Sequence, residues 1–299
     1  MQTRPFCVLL LPVVLAGGCA GSASEQARAN KSGEQTASAA TQATAQTAVP
    51  APAVAAAEPA RPAAPAAAAL PAVPAPGTTV RVGGDASAAI RQEGDNYFFG
   101  SASITTPLPA GYPAPTPPGA IDMKTYPSVR RAQISGSVTP DLGMNVGFFP
   151  LFNHIKRREI AMTSPVEMDY TGMSNSGDNP DGWTMAFLYR TPELGDVGAD
   201  ERDERVKVLD TQPVTVLAIG LQGFYRVGRI RDGVAALEKW LADNPQWEAA
   251  GDARAFYYNG PEKRNRDKWA EAQLPIRPRA TPAASGTGPS GAAPVTAAR

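Results

Sequence analysis

Residues 148–166 read Phe148-Phe149-Pro150-Leu151-Phe152-Asn153-His154-Ile155-Lys156-Arg157-Arg158-Glu159-Ile160-Ala161-Met162-Thr163-Ser164-Pro165-Val166. Four apolar residues in this segment recur at the i, i+3, i+4, i+7 spacing of one helix face: Phe148, Leu151, Phe152 and Ile155. The spacing predicts a helix over 148–157, with Pro150 near its first turn, where a missing N–H costs little. A strand over 159–170 follows after a tight basic connection, residues 156–159.

The same pattern analysis predicts a second helix and further strands. The helix runs over 232–243, with Asp232 as its N-cap, and Asn244-Pro245 ends it. Strands are expected near 97–104, 120–135, 159–170, 183–190, 204–209, 213–220 and 253–258. The order strand, helix, hairpin occurs twice, around 120–190 and 204–277. The predicted class is therefore α+β: two βαββ-like halves forming an antiparallel sheet or a distorted barrel, flanked by two helices.

The distribution of aromatic residues predicts the domain limits. Only Phe6 precedes Tyr97, and no aromatic residue follows Trp269. Residues 41–77 contain 17 Ala and 8 Pro, so they have little to bury that would offset the entropy of folding. We predict a signal peptide over 1–18, a disordered Ala/Pro-rich tether over 19–78, one folded domain over 79–278 and a disordered tail over 279–299.

The N-terminus predicts export. Arg4 precedes an apolar segment, Phe6–Ala16, which is too short to span ~30 Å of hydrocarbon and is typical of a signal peptide. Leu15-Ala16-Gly17-Gly18-Cys19 looks like a lipobox, which predicts lipidation of Cys19 and a membrane anchor through it. The expected location is the cell envelope, as an outer-membrane lipoprotein facing the periplasm. The alternative is an ordinary secretory signal, which would leave the protein free in the periplasm.

Composition excludes several classes of site. The 28 basic and 28 acidic residues balance, which predicts no nucleic-acid partner, because such proteins need a basic excess. Both cysteines, Cys7 and Cys19, lie in the first nineteen residues, so the domain has no disulfide framework and no cysteine-based zinc site. The single histidine, His154, excludes metal motifs with two histidines. The polar run 171–182 lacks the ligand spacing of an EF-hand and is interpreted as a hairpin loop.

The segment Ile160–Val166, following an amphipathic helix, resembles the signature of the SOUL haem-binding protein family. Two later segments agree: Val214–Gly223, an apolar strand with a glycine-containing turn, and Tyr257-Tyr258-Asn259-Gly260-Pro261, followed by Glu271–Ile276. The resemblance covers about residues 120–277. The chain departs from the family pattern in the tight basic turn at 156–159 and in the longer loop at 171–182.

The resemblance implies a protein that holds haem or another tetrapyrrole in an apolar groove, with basic residues at the propionates. The groove would lie between the first helix and the turn before the second. Carried over position by position, the predicted ligand-binding residues are Phe149, Phe152, Asn153, Lys156, Arg157, Leu221, Phe224, Tyr225, Arg226 and Arg229.

Simpler interpretations stand beside these roles. Phe148, Leu151 and Ile155 are also what a helix buries in a core, and cations at 156–158 complement the helix dipole. His154 is the one imidazole that could ligate a haem iron, but a partly exposed histidine with satisfied hydrogen bonds is the alternative. Met162 and Met168 are expected to share one face of a strand, as core residues.

Two rival functions remain open from the residues. No catalytic motif is present, so an enzyme is not expected. A related double βαββ architecture does include hydrolases with a glutamate base, for which Glu159, Glu167 and Glu271 are the candidates. The other rival is a cell-envelope scaffold of the same fold without a specific ligand.

Overall fold

The computed structural model describes residues 71–173 and 180–280. The predicted signal peptide, Cys19, most of the tether and nearly all of the C-terminal tail lie outside the described residues, as do residues 174–179 of the predicted loop. The helices are α1 (Pro140–Arg157) and α2 (Val227–Asp243). The strands are β1 (Thr79–Gly84), β2 (Arg91–Glu93), β3 (Asn96–Phe99), β4 (Ala102–Ile104), β5 (Ala120–Tyr126), β6 (Arg130–Gly136), β7 (Val166–Thr171), β8 (Gly182–Leu188), β9 (Gly198–Ala199), β10 (Lys207–Asp210), β11 (Val214–Gln222), β12 (Trp247–Ala249), β13 (Arg254–Tyr257) and β14 (Trp269–Pro278).

Eleven strands form one antiparallel sheet in the order β1-β5-β11-β14-β13-β7-β8-β6-β10-β9, with β12 paired to β14. Within the described residues this sheet stays open between β1 and β9 and does not close into a barrel. Strands β2, β3 and β4 form a separate small sheet. The prediction of a mixed α+β class with a large antiparallel sheet and two helices is confirmed.

Both helices pack against one face of the large sheet, called the inner face here. Alternate strand residues point to it, as the two-residue period requires: Met168 and Tyr170 on β7, and Trp183 and Met185 on β8, lie in one buried cluster with Leu151 of α1. Gly143 and Gly147 let α1 lie close to this face, because a Cβ on Gly143 would overlap the Trp183 indole.

The opposite, outer face is covered by residues 96–118. Tyr97, Ile104 and Leu108 from this layer are buried against Phe256 and Trp269 of the sheet. The outer face also carries buried charges. These include the side chains of Lys124 on β5 and Glu271 on β14, which form an ion pair of 2.8 Å and are both 0% exposed. The molecule therefore has three layers: helices, sheet and N-terminal cover.

Helix α1 begins earlier than predicted. It starts at Pro140 instead of residue 148, so Pro150 lies inside the helix and not in its first turn. It ends where Glu159 takes a positive φ of 55° and Ile160 N–H donates to Ile155 O over 2.9 Å. This is the 6→1 bond of a Schellman motif, with the two isoleucines buried together.

Helix α2 also begins earlier, at Val227, so Asp232 is not its N-cap. The Val227 N–H donates to Asp141 Oδ1 over 2.9 Å, so a side chain of α1 accepts a hydrogen bond from the first turn of α2. No sequence pattern near residue 227 signals this long-range cap.

Several strand predictions need correction. The segment 120–135 forms two strands, β5 and β6, because the chain turns at 127–129, and 97–104 forms β3 and β4, because it turns at 100–101. Residues 159–165 are not strand, because Ser164 bonds instead to Pro107 O and to Tyr258 O. Strand β14, ten residues long, was not predicted, and neither were β1 at the sheet edge and the short strands β2, β9 and β12. Met162 therefore does not share a strand with Met168: it is 36% exposed, whereas Met168 is fully buried.

Neither described helix contains a segment that is both long and apolar enough to cross a bilayer.

Candidate functional site

A groove of ≈ 610 Å³ opens on the inner face between α1 and the turn that precedes α2. Its volume lies within the range typical of small-molecule sites, about 300–1,000 Å³. Helix α1 contributes four residues at i, i+3, i+4 and i+7, which form one helix face: Asp141, Met144, Asn145 and Phe148. The turn contributes Phe224, Tyr225 and Arg226.

The floor of the groove consists of strand residues whose side chains reach the inner face: Val166 of β7, Met185 of β8 and Tyr257 of β13. The Tyr225 and Tyr257 rings lie 4.6 Å apart between centroids. The Tyr225 hydroxyl donates to Trp269 O and accepts from Asn259 N–H, and the Tyr257 hydroxyl bonds to that of Tyr170 over 2.7 Å. Burial raises the pKa of both ring hydroxyls above the ordinary tyrosine range. With these hydroxyls occupied, the floor presents apolar ring surface.

The rim carries the charges. Arg226 lies 4.7 Å from the Phe224 ring centroid, and Lys268 lies 5.1 Å from that of Tyr225. Asp141 and Glu262 are the acidic residues of the lining, and Asp141 accepts the Val227 N–H. An apolar floor with cations at the rim suits a hydrophobic ligand that has one or two anionic groups.

The structure brings together only some of the predicted ligand-binding residues. Phe224, Tyr225 and Arg226 line the groove. Leu221 borders a small cavity behind them, and Arg229 borders both that cavity and an open depression beside Arg226.

The predicted residues on α1 lie outside the lining. Phe152 stacks on the groove residue Phe148 at 5.8 Å, and Phe149 is 65% exposed. Asn153 and Lys156 are exposed, and Arg157 donates to Asp200 over 2.7 Å.

His154 is fully buried, so the interpretation as a partly exposed residue is wrong. Its Nδ1 lies 2.5 Å from Asp200 Oδ2 and its Nε2 lies 2.8 Å from the Tyr189 hydroxyl. Burial lowers the pKa of His154, which favours the neutral ring that donates to Asp200 and accepts from Tyr189. In this arrangement neither ring nitrogen is available to a haem iron.

Asp200 is the shared hydrogen-bond acceptor of the groups around His154. Burial raises the pKa of Asp200, but hydrogen bonds from His154, from the Arg202 and Asp203 N–H groups and from Arg157 outweigh it, so the carboxyl stays well below its ordinary pKa. Of the predicted cations at the end of α1, Arg157 therefore forms an ion pair with this carboxylate.

Several lining residues were missed from the sequence. Asp141, Met144 and Asn145 were overlooked because the helix was predicted to start at 148, although their spacing with Phe148 signals a helix face. Lys268 and Asn259–Glu262 come from the β13–β14 connection, which only the tertiary fold brings to the groove. None of the candidate bases Glu159, Glu167 and Glu271 is among the lining residues. Within residues 71–173 and 180–280, no cluster of three His, Cys, Asp or Glu residues suits a metal ion.

No family model matches the chain, and no curated protein matches it. Solved structures with some likeness include the C-terminal domain of EcmrR, at TM-score 0.45 and 14% identity, covering 53% of this chain and 98% of that one. An uncharacterized conserved protein from Listeria innocua has TM-score 0.41 and 13% identity, covering 55% and 94%. The EcmrR chain of an EcmrR–DNA complex has TM-score 0.44 and 15% identity, covering 53% of this chain and 57% of that one.

The comparison corrects one expectation. The balanced charge predicted no nucleic-acid partner, whereas one of these similar chains belongs to a DNA complex. Net charge over a whole chain does not by itself exclude a nucleic-acid partner, because local charge governs contact with phosphates.

Proposed function

We propose that this protein binds haem or another tetrapyrrole in the groove between α1 and the turn before α2, as a SOUL-type binding protein and not as an enzyme. The observation that carries the proposal is the combination of an aromatic floor with cations at the rim. Tyr257 and Phe148 belong to the lining of the groove, and Arg226 and Lys268 at its rim would pair with the propionates of such a ligand.

The groove residues fit a tetrapyrrole through apolar contact with its ring system more than through coordination of its iron. Burial of apolar surface contributes roughly 25 cal/mol per Å², so contact with a porphyrin face supplies much of the affinity. Charge-assisted hydrogen bonds from Arg226 and Lys268 would orient the carboxylates. His154 is engaged with Asp200 and Tyr189, so the proposal assigns it no role at the iron.

The strand order supports kinship with a double βαββ architecture. One half comprises β5, β6, α1, β7 and β8, and the other comprises β10, β11, α2, β13 and β14, with β12 as an addition. In the sheet, β6-β8-β7 and β11-β14-β13 are equivalent trios that meet at β7 and β13. The first strand of each half pairs with a strand of the other half: β5 pairs with β11, and β10 pairs with β6.

We also propose export and lipid anchoring at Cys19, which rest on the sequence alone. Cys19→Ser should abolish acyl labelling and release the protein from the membrane fraction. A wild-type protein without an acyl chain would contradict the anchor and leave the groove proposal unaffected.

The test of binding is an absorbance titration of the purified protein with hemin. Phe224→Ala should weaken binding about tenfold, because it removes part of the apolar contact. Phe98→Ala is the matched control. The Arg91 guanidinium lies over the Phe98 ring at 4.2 Å, as Arg226 lies over Phe224, but Phe98 is on β3 and is not among the groove residues. High salt should weaken binding only moderately. If the wild type gives no saturable Soret band, a scaffold without this ligand is the better interpretation.

A further inference from the structure

An apolar surface runs along the side of α1 that faces away from the sheet. Leu142, Val146 and Phe149 are 52%, 48% and 65% exposed, and Phe152 is 38% exposed. Their spacing places them on one helix face, and Phe152 joins that face to the groove by stacking on Phe148. Helix α1 therefore also exposes apolar side chains on the side away from the sheet, interspersed with the exposed amides Asn145 and Asn153. Exposed apolar surfaces of this kind mark interaction sites.

The charges on and beside this surface are mainly positive. Lys156 lies within the exposed face, and Asp141, the one acidic residue of α1, is engaged with the Val227 N–H. On the other side of the groove Lys268 belongs to the lining, in a segment, 263–268, that also contains Lys263, Arg264 and Arg266 and a single acid, Asp267. Glu262 is the remaining acid at the groove. Cations thus stand on both sides of an apolar opening.

We propose that the outward face of α1, with Phe149 at its centre, docks this domain onto a lipid surface that carries anionic headgroups. Exposed phenylalanine and leucine side chains enter the boundary between headgroups and acyl chains, while flanking lysines and arginines pair with phosphates. Phe224, which is 44% exposed, and Met162 lie at the groove, so docking would bring the groove next to the bilayer. A hydrophobic ligand could then pass between membrane and groove without crossing water.

Charge favours lipid over a second copy of the chain as the occupant. An antiparallel two-fold contact centred on Phe149 would set each Lys156 against the electropositive N-terminal turn of the other copy's α1, where the one carboxylate, Asp141, already accepts the Val227 N–H. An anionic membrane instead gains from each of these cations. The inference does not depend on haem binding, because it uses the exterior of α1 and no ligand.

The test is co-sedimentation of the full chain with vesicles of phosphatidylglycerol and phosphatidylcholine, in a Cys19→Ser background so that no acyl chain contributes. Partitioning should be stronger on phosphatidylglycerol and should weaken with salt. Phe149→Glu should reduce it at least about tenfold, and Lys156→Glu about fivefold. The controls Val80→Glu, on the exposed edge strand β1, and Lys239→Glu, on exposed α2, should change it less than about twofold.

Circular dichroism and thermal unfolding show whether each variant keeps its fold. Three results would overturn the proposal: no partitioning of the parent protein, equal losses in the Phe149 and Val80 variants, or unchanged partitioning in Phe149→Glu. If light scattering shows that the parent protein is a dimer and that Phe149→Glu is a monomer with unchanged vesicle binding, the occupant is a second copy of the chain, and the lipid is rejected.

Discussion

The two faces of the large sheet differ in how completely their side chains are covered. On the outer face, Lys124 and Glu271 are fully buried, and Glu271 also accepts from Thr116 N–H and from the Tyr258 hydroxyl. On the inner face, the gap between α1 and α2 leaves apolar rings open to solvent, including Phe224. The outer face is therefore closed over buried charges, whereas the inner face, which also carries the larger apolar core, leaves surface available for a ligand.

The outer face shows a second cluster of the same type. Glu167 lies between Arg254 at 2.9 Å and Arg131 at 3.2 Å, and Arg131 also reaches Asp169 at 3.1 Å. Burial raises the pKa of Glu167, but the two guanidinium groups outweigh it and lower the pKa overall. These buried charges partner one another beneath the cover, so removing one of them would leave its partners uncompensated.

The largest expected effect comes from breaking the buried pair on the outer face. Lys124→Met leaves the Glu271 carboxylate uncompensated, and we expect a loss of about 3–5 kcal/mol in the free energy of unfolding. Urea unfolding measures it. The double variant Lys124→Met/Glu271→Gln should recover part of the loss, because it removes the buried charge. A single-variant loss below about 1 kcal/mol would contradict the stabilising role of this face.

The second prediction concerns His154, a buried polar group of α1, and asks whether it contributes to stability and not to hemin binding. His154→Ala leaves the Tyr189 hydroxyl and Asp200 without one partner each, and we expect a loss of about 2 kcal/mol in stability. Hemin affinity should fall less than in Phe224→Ala. If His154→Ala alone abolishes the Soret shift, the histidine ligates the iron, and the arrangement with Tyr189 and Asp200 must change when the ligand binds.

The smallest effect is a pH dependence on the outer face. Burial, together with the neighbouring Glu167, raises the pKa of Asp169 to about 7, although Arg131 and Arg254 oppose this. A raised carboxyl pKa means that the folded state holds a proton that the unfolded chain releases near pH 4. The stability from this proton is present below about pH 4 and is lost as the pH rises through about 7.

Asp169→Asn should therefore flatten the stability of the protein between about pH 5 and pH 8. We expect the variant to gain about 1–2 kcal/mol relative to wild type across this range, less than the full shift because the side chain is 30% exposed. Asp243→Asn, at an exposed carboxylate on α2, is the control. Parallel pH curves for wild type and Asp169→Asn would contradict the raised pKa.

The sequence predicted elements where local spacing is strong and missed them where distant residues supply the stabilising contact. The apolar face at 151–155 identified the C-terminal half of α1, but Gly143 and Gly147 concealed its first half, since glycine weakens a helix pattern. These glycines are needed only because Trp183 packs against them. Likewise Phe224, Tyr225 and Arg226 were assigned to the groove, whereas Lys268 was missed.

What the sequence determined by itself are the properties that depend on neighbouring residues: the α+β class, most strand positions and the two helices. The tertiary structure alone decided which side chains meet. It placed His154 between Asp200 and Tyr189 instead of at the groove, and it used Asp141 of α1 to cap α2. The physical reason is that hydrogen bonds and ion pairs act over about 3 Å in space, whatever the separation of their partners along the chain.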